Sequence, residues 1–77
     1  MSKKVTIEVT FKNILGGVLG KDSFQVPSEY VSSTGRVLRP GLSSILDKHA
    51  EEVAARSGEP IHLAGAASWT VTSVRSV

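Results

Sequence analysis

The sequence predicts a two-layer α+β domain: an antiparallel sheet of three to five strands, a long N-terminal β-hairpin, and one amphipathic helix packed on one face. Three observations carry that expectation. Nine residues near the start alternate apolar with polar, a Gly-Gly pair follows where the chain can fold back, and one later run repeats at helical spacing.

Residues 4–12, KVTIEVTFK, place Val5, Ile7, Val9 and Phe11 on one side and Lys4, Thr6, Glu8, Thr10 and Lys12 on the other. A period of two in β-branched and aromatic residues is the pattern of a half-buried strand. The next segment turns on Gly16-Gly17, whose freedom to adopt positive φ suits a two-residue hairpin turn. That turn pairs Leu15 with Val18, Val9 with Phe24 and Ile7 with Val26, and gathers the apolar residues of a hairpin spanning 4–26 on one face. It also sets Asp22 against Phe11 and Lys12 against Lys21, which a ladder disfavours. Gly20 therefore marks the expected place of a bulge that shifts the phase.

Pro27 lacks an N–H and ends the second strand. In residues 28–40, Ser33-Thr34-Gly35 forms either the turn of a short hairpin between Tyr30–Ser32 and Arg36–Leu38 or part of an irregular loop. The helix is expected over 42–57. Leu42, Ile45, Leu46, His49, Val53 and Ala54 make its apolar stripe, Ser43 or Ser44 its cap (with Ser44 and Asp47 as a weak capping box), and Gly58 and Pro60 its stop. The last part, 61–76, reads as strand again. Ile61 to Leu63 is a short piece and Trp69 to Val74 a longer one, whose alternation slips after Val71 and so calls for a bulge or an edge position.

A chain of 77 residues without cysteine makes one domain, 1–77, with a thin core and no disulfide to brace it. The missing cysteines, the absence of a signal-like apolar run after Lys3-Lys4, and no stretch approaching a membrane span lead to the expectation of a cytoplasmic protein. Net charge is +2, unevenly spread. Residues 42–59 carry Asp47, Glu51, Glu52 and Glu59 against Lys48 and Arg56, while the remainder is basic, as in a basic sheet backed by an acidic helix.

The stretch GGVLGKDS comes close to a phosphate-binding loop but fails it on three counts. Leu15 stands where the first glycine is required, Asp22 replaces the magnesium-binding hydroxyl, and the chain continues as strand. His49 lies on the apolar stripe and His62 on another element, so neither suggests a metal site, and no cofactor is expected. The serines form no nucleophile elbow, and so short a chain has little volume for a water-excluding cleft. No enzyme is expected, a small nuclease or toxin-like enzyme being the remote alternative.

Two binding readings remain. In the leading one the chain is a small non-enzymatic binding module, an adaptor, inhibitor or phage-type accessory protein. It meets a protein partner or a second copy of itself through Ile14, Leu15, Val18 and Leu19 at the hairpin tip, with Arg36 and Arg39 as a charged rim. A tip apolar on both faces cannot bury itself within its own hairpin, so it is covered either by this chain or by another. In the alternative, Lys4, Lys12, Lys21, Arg36 and Arg39 neutralise the phosphates of a nucleic acid.

Overall fold

A computed structural model describes residues 3–76 of the chain, the side chains of Ile61 and His62 excepted. Strand β1 (Lys4–Lys12) runs into β2 (Val18–Pro27). A 3-10 turn (Ser28–Tyr30) follows, then helix α1 (Pro40–Arg56), a four-residue helix α2 (Ile61–Ala64) and strand β3 (Ser68–Ser76). The sheet has three antiparallel strands in the order β2-β1-β3, so the N-terminal strand is central and the C-terminal strand closes one edge. The α+β class, the long hairpin and the single long helix are as the sequence predicts.

The register of the hairpin is not. Ile7 pairs with Phe24, Val9 with Asp22 and Val5 with Val26, two residues away from the pairing that a Gly-Gly turn would impose. The cause is Asn13. Its backbone N–H donates to the Gly17 carbonyl, the Gly16 N–H donates to the Asn13 carbonyl, and the N–H groups of Leu15 and Gly17 both donate to its Oδ1 at 3.0 and 2.8 Å. The loop is thus Ile14-Leu15-Gly16, a turn closed by a left-handed residue, with Gly16 at φ 86°. Beyond it the ladder slips between Phe11 and Lys12, where Leu19 is the extra residue, so the bulge expected at Gly20 forms beside it. A shift of two keeps the side chains from Gly20 to Val26 on their faces, while the bulge turns Val18 to the Lys12 face and Leu19 to the core. It also moves Lys21 opposite Thr10 and away from Lys12.

An added Cβ at Gly16 meets nothing within 4 Å, so only the backbone conformation resists a side chain there. Gly16→Ala should cost about 1–2 kcal/mol in equilibrium unfolding, and Gly16→Asn distinctly less, because asparagine tolerates the left-handed region. Equal stability of all three proteins would remove the left-handed loop from the account.

The same loop is built a second time. Ser32 N–H donates to the Arg36 carbonyl, Gly35 N–H donates to the Ser32 carbonyl, and the Ser32 hydroxyl accepts from the Arg36 N–H, around a single bridge between Val31 and Val37. The segment is therefore a minimal hairpin. An added Cβ at Gly35 would stand 3.2 Å from the Val71 carbonyl, which shows how closely this hairpin lies on β3.

Helix α1 begins two residues earlier than its apolar stripe suggests. Pro40 supplies the preset φ of a first turn, and neither Ser43 nor Ser44 caps it; Arg39 is the N-cap residue, with no side-chain cap bond. At the other end Gly58 N–H bonds the Ala55 carbonyl and Glu59 N–H the Ala54 carbonyl, a Schellman ending. The chain then enters α2 where a short strand was expected from Ile61 to Leu63. An apolar run of that length does not distinguish strand from helical turn. The C-terminal region accordingly contributes one strand to the sheet.

The core lies between one sheet face and α1. Ile7, Val9, Phe11, Leu46, Ala50 and Ala54 are fully enclosed, with Val26, Val31, Leu42 and Val53 nearly so. Val5, Phe24, Trp69, Val71 and Val74 pack against them from the same face. Strand β3 keeps that face by a bulge: Val71 pairs with Val9 and Ser73 with Glu8, leaving Thr72 as the extra residue. Tyr30 and Val37 bring the small hairpin onto the core beside the helix.

Candidate functional site

The residues of the hairpin tip separate into three that face solvent and one that does not. Leu15 is 91% exposed, Val18 60% and Ile14 58%, whereas Leu19, the bulge residue, packs against the core. The three exposed side chains belong to a loop that is not loose. Besides the four hydrogen bonds that fold it around Asn13, the Asn13 Nδ2 donates to Glu59 Oε1 at 3.2 Å. That contact ties the tip to the segment leaving α1. The loop therefore presents Ile14 and Leu15 in one conformation, with little ordering entropy left to lose on contact.

Charges near the tip come from the strands. Lys12 pairs with Val18 and Lys21 with Thr10, so both lysines stand within three residues of the apolar group along β1 and β2. Arg36 and Arg39 are elsewhere. Arg36 sits in the small hairpin and Arg39 at the start of α1. The helix reaches the tip only at its other end, where Val53 meets Gly20 and Glu59 meets Asn13. Seventeen helical residues span about 25 Å, which sets Arg39 far from the tip, and Arg36 stands in the hairpin that lies on β3 at Val71, the partner of Val9.

The remaining chemistry of the helix layer is structural. His49 lies over Phe11 and edge-on to Phe24, with ring centroids at 5.0 and 5.2 Å, and its Nε2–H donates to Asp22 Oδ2 at 2.8 Å. On the opposite flank Trp69 Nε1–H donates to Asp47 Oδ1 at 2.6 Å. Each edge strand thus holds α1 by one polar contact, Asp22 from β2 and Trp69 from β3. The histidine that the sequence places on the apolar stripe is a packed, hydrogen-bonded residue. Among the described residues no three His, Asp or Glu side chains converge, and no helix is long and apolar enough to cross a membrane.

The other sheet face is open and polar. Register places Lys4, Thr6, Glu8, Thr10 and Lys12 of β1 there, beside Lys21, Ser23 and Gln25 of β2 and Thr70, Ser73 and Arg75 of β3. Arg75, whose guanidinium is 3.8 Å from Glu8, joins the three lysines only through the pairing of β3 with β1. Nothing in the local sequence around it signals that. No protein-family model matches the sequence, and no curated protein or solved structure shows significant similarity to it.

Proposed function

We propose that the chain is a small non-enzymatic binding module that grips a protein partner through the tip of its N-terminal hairpin. The observation that carries this reading is the exposure of Ile14 and Leu15 on a loop whose backbone is already fixed by Asn13, with exposed Val18 opening the strand after it. An apolar side chain of this size contributes roughly 1.5–3 kcal/mol when fully buried, and a rigid loop gives up little of it to ordering. The complementary surface is an apolar pocket with carboxylates at its rim, facing Lys12 and Lys21. Two copies joined tip to tip would bring those lysines together, so a different protein is favoured over a second copy.

The test is the double variant Leu15→Asp, Val18→Asp. Both positions face solvent, so stability should change by no more than about 0.5 kcal/mol at each, with Trp69 fluorescence reporting the intact fold. Capture of the partner from host lysate by the immobilised chain should fall at least about 100-fold, two lost apolar anchors being worth roughly 3 kcal/mol or more. Undiminished capture of the same partner by a folded variant would overturn the reading. Unfolding of the variant would show the tip to be part of the core. Sedimentation of the wild-type chain alone, if it reported a dimer lost in the variant, would replace the foreign partner with a second copy.

A further inference from the structure

We infer that the open face of the sheet is a second interface, adjoining the hairpin tip at Lys12 and Lys21, and that it docks on double-stranded RNA through the sugar–phosphate backbone. Charge is sorted between the two layers. Of the two acidic residues in the strands, Glu8 lies on the open face and Asp22 on the other. Asp22 points to the helix side and is held by His49, Asp47 is held by Trp69, and Glu51 and Glu52 are on α1. Against Glu8 the open face sets Lys4, Lys12, Lys21 and Arg75. Between the cations stand Thr6, Ser23, Gln25, Thr70 and Ser73, groups that hydrogen-bond phosphate and ribose oxygens without reading a base.

Shape and composition select among polyanions. The four aromatic residues of the chain are all on the other side: Phe11, Phe24 and Trp69 face α1, and Tyr30 packs on the core. The open face therefore offers no platform on which unpaired bases could stack, which disfavours a single strand. Its three strands place the outer two about 10 Å apart before side chains are added. A B-form major groove admits a two-stranded ribbon and not a broader face. The minor groove of an A-form duplex is wide and shallow and presents 2′-hydroxyls. Lys4 and Lys12 are about 27 Å apart along β1, far enough to reach phosphates on either side of that groove.

The experiment is fluorescence anisotropy with a labelled 20-base-pair RNA duplex, the DNA duplex of the same sequence and the RNA single strand, each at 50 and 200 mM salt. The wild-type chain should bind the RNA duplex more tightly than either competitor. Its affinity should fall about 100-fold between the two salt concentrations, as the neutralisation of about four phosphates requires. Lys12→Gln with Lys21→Gln should leave the fold intact and reduce that fall to about 10-fold. Arg36→Gln with Arg39→Gln should bind as the wild type does. No binding at 50 mM salt, equal or tighter binding of the DNA or the single strand, or a salt dependence untouched by the lysine substitutions would overturn the inference. The tip is tested separately by the Leu15→Asp, Val18→Asp capture experiment, whose partner should be retained after nuclease treatment.

Discussion

Replacing Phe11 with alanine is expected to remove about 3–5 kcal/mol of stability, a large share of what a 77-residue domain holds, since the whole comes to about 4–11 kcal/mol. Phe11 is fully enclosed on the central strand, with Gly20 and Trp69 as its register neighbours. Gly20 has no side chain, and an added Cβ there would be 3.8 Å from Val53, so the helix already lies close on that side. His49 packs on the ring from above. Removing the ring leaves a cavity that neither β2 nor α1 can close without breaking the His49–Asp22 contact. The midpoint of thermal unfolding, followed by Trp69 emission, should drop by roughly 15–30 °C. A drop of less than about 5 °C would mean that the core is not centred on this residue.

How much of this was legible depends on which property of a strand is asked about. The faces of β1, and of β2 from Gly20 onward, could be read, because alternation survives any even shift of register; the bulge exchanges Val18 and Leu19. The partners could not. The positive φ that Gly16-Gly17 allows points to a two-residue turn, whereas the Asn13 side chain, by capturing two N–H groups, puts Gly16 at the end of a three-residue loop. The slip after Val71 was visible as a broken alternation, and it corresponds to the Thr72 bulge on an edge strand. Ile61 to Leu63 was unreadable for a different reason: three residues are too few to show a period, and the helix ending at Gly58 redirects the chain. The same division holds at the candidate sites. The clustering of Ile14, Leu15, Val18 and Leu19 about one turn is local, but which of them stay exposed is set by the bulge that turns Leu19 to the core. Arg75 reaches the lysines only because β3 pairs with a strand more than sixty residues earlier, and no local pattern encodes that choice.

The helix gives the sharpest case, and the second large effect. Ile45 and Leu46 are adjacent, and the sequence puts both on the buried stripe. Leu46 is fully enclosed and Ile45 is 61% exposed. One residue is a rotation of about 100° around α1. The helix is turned so that Leu42, Leu46, Ala50 and Val53 face the sheet, which leaves Ile45 on the flank above β2, one turn before His49. What fixes the rotation is not in the helix's own pattern. Asp22 holds His49 on one side and Trp69 holds Asp47 on the other, while the small residues Ala50 and Ala54 allow close approach where a larger stripe would hold the layers apart. Leu46→Ala should therefore cost about 2–5 kcal/mol, and Ile45→Ala no more than about 0.5 kcal/mol, as at other exposed positions. Urea unfolding of the two variants, with an unchanged slope, measures the difference directly. Equal losses would require α1 to be rotated toward β2, and that rotation would carry Asp47 out of reach of Trp69; the indole emission of the Ile45→Ala protein reports which of the two arrangements holds.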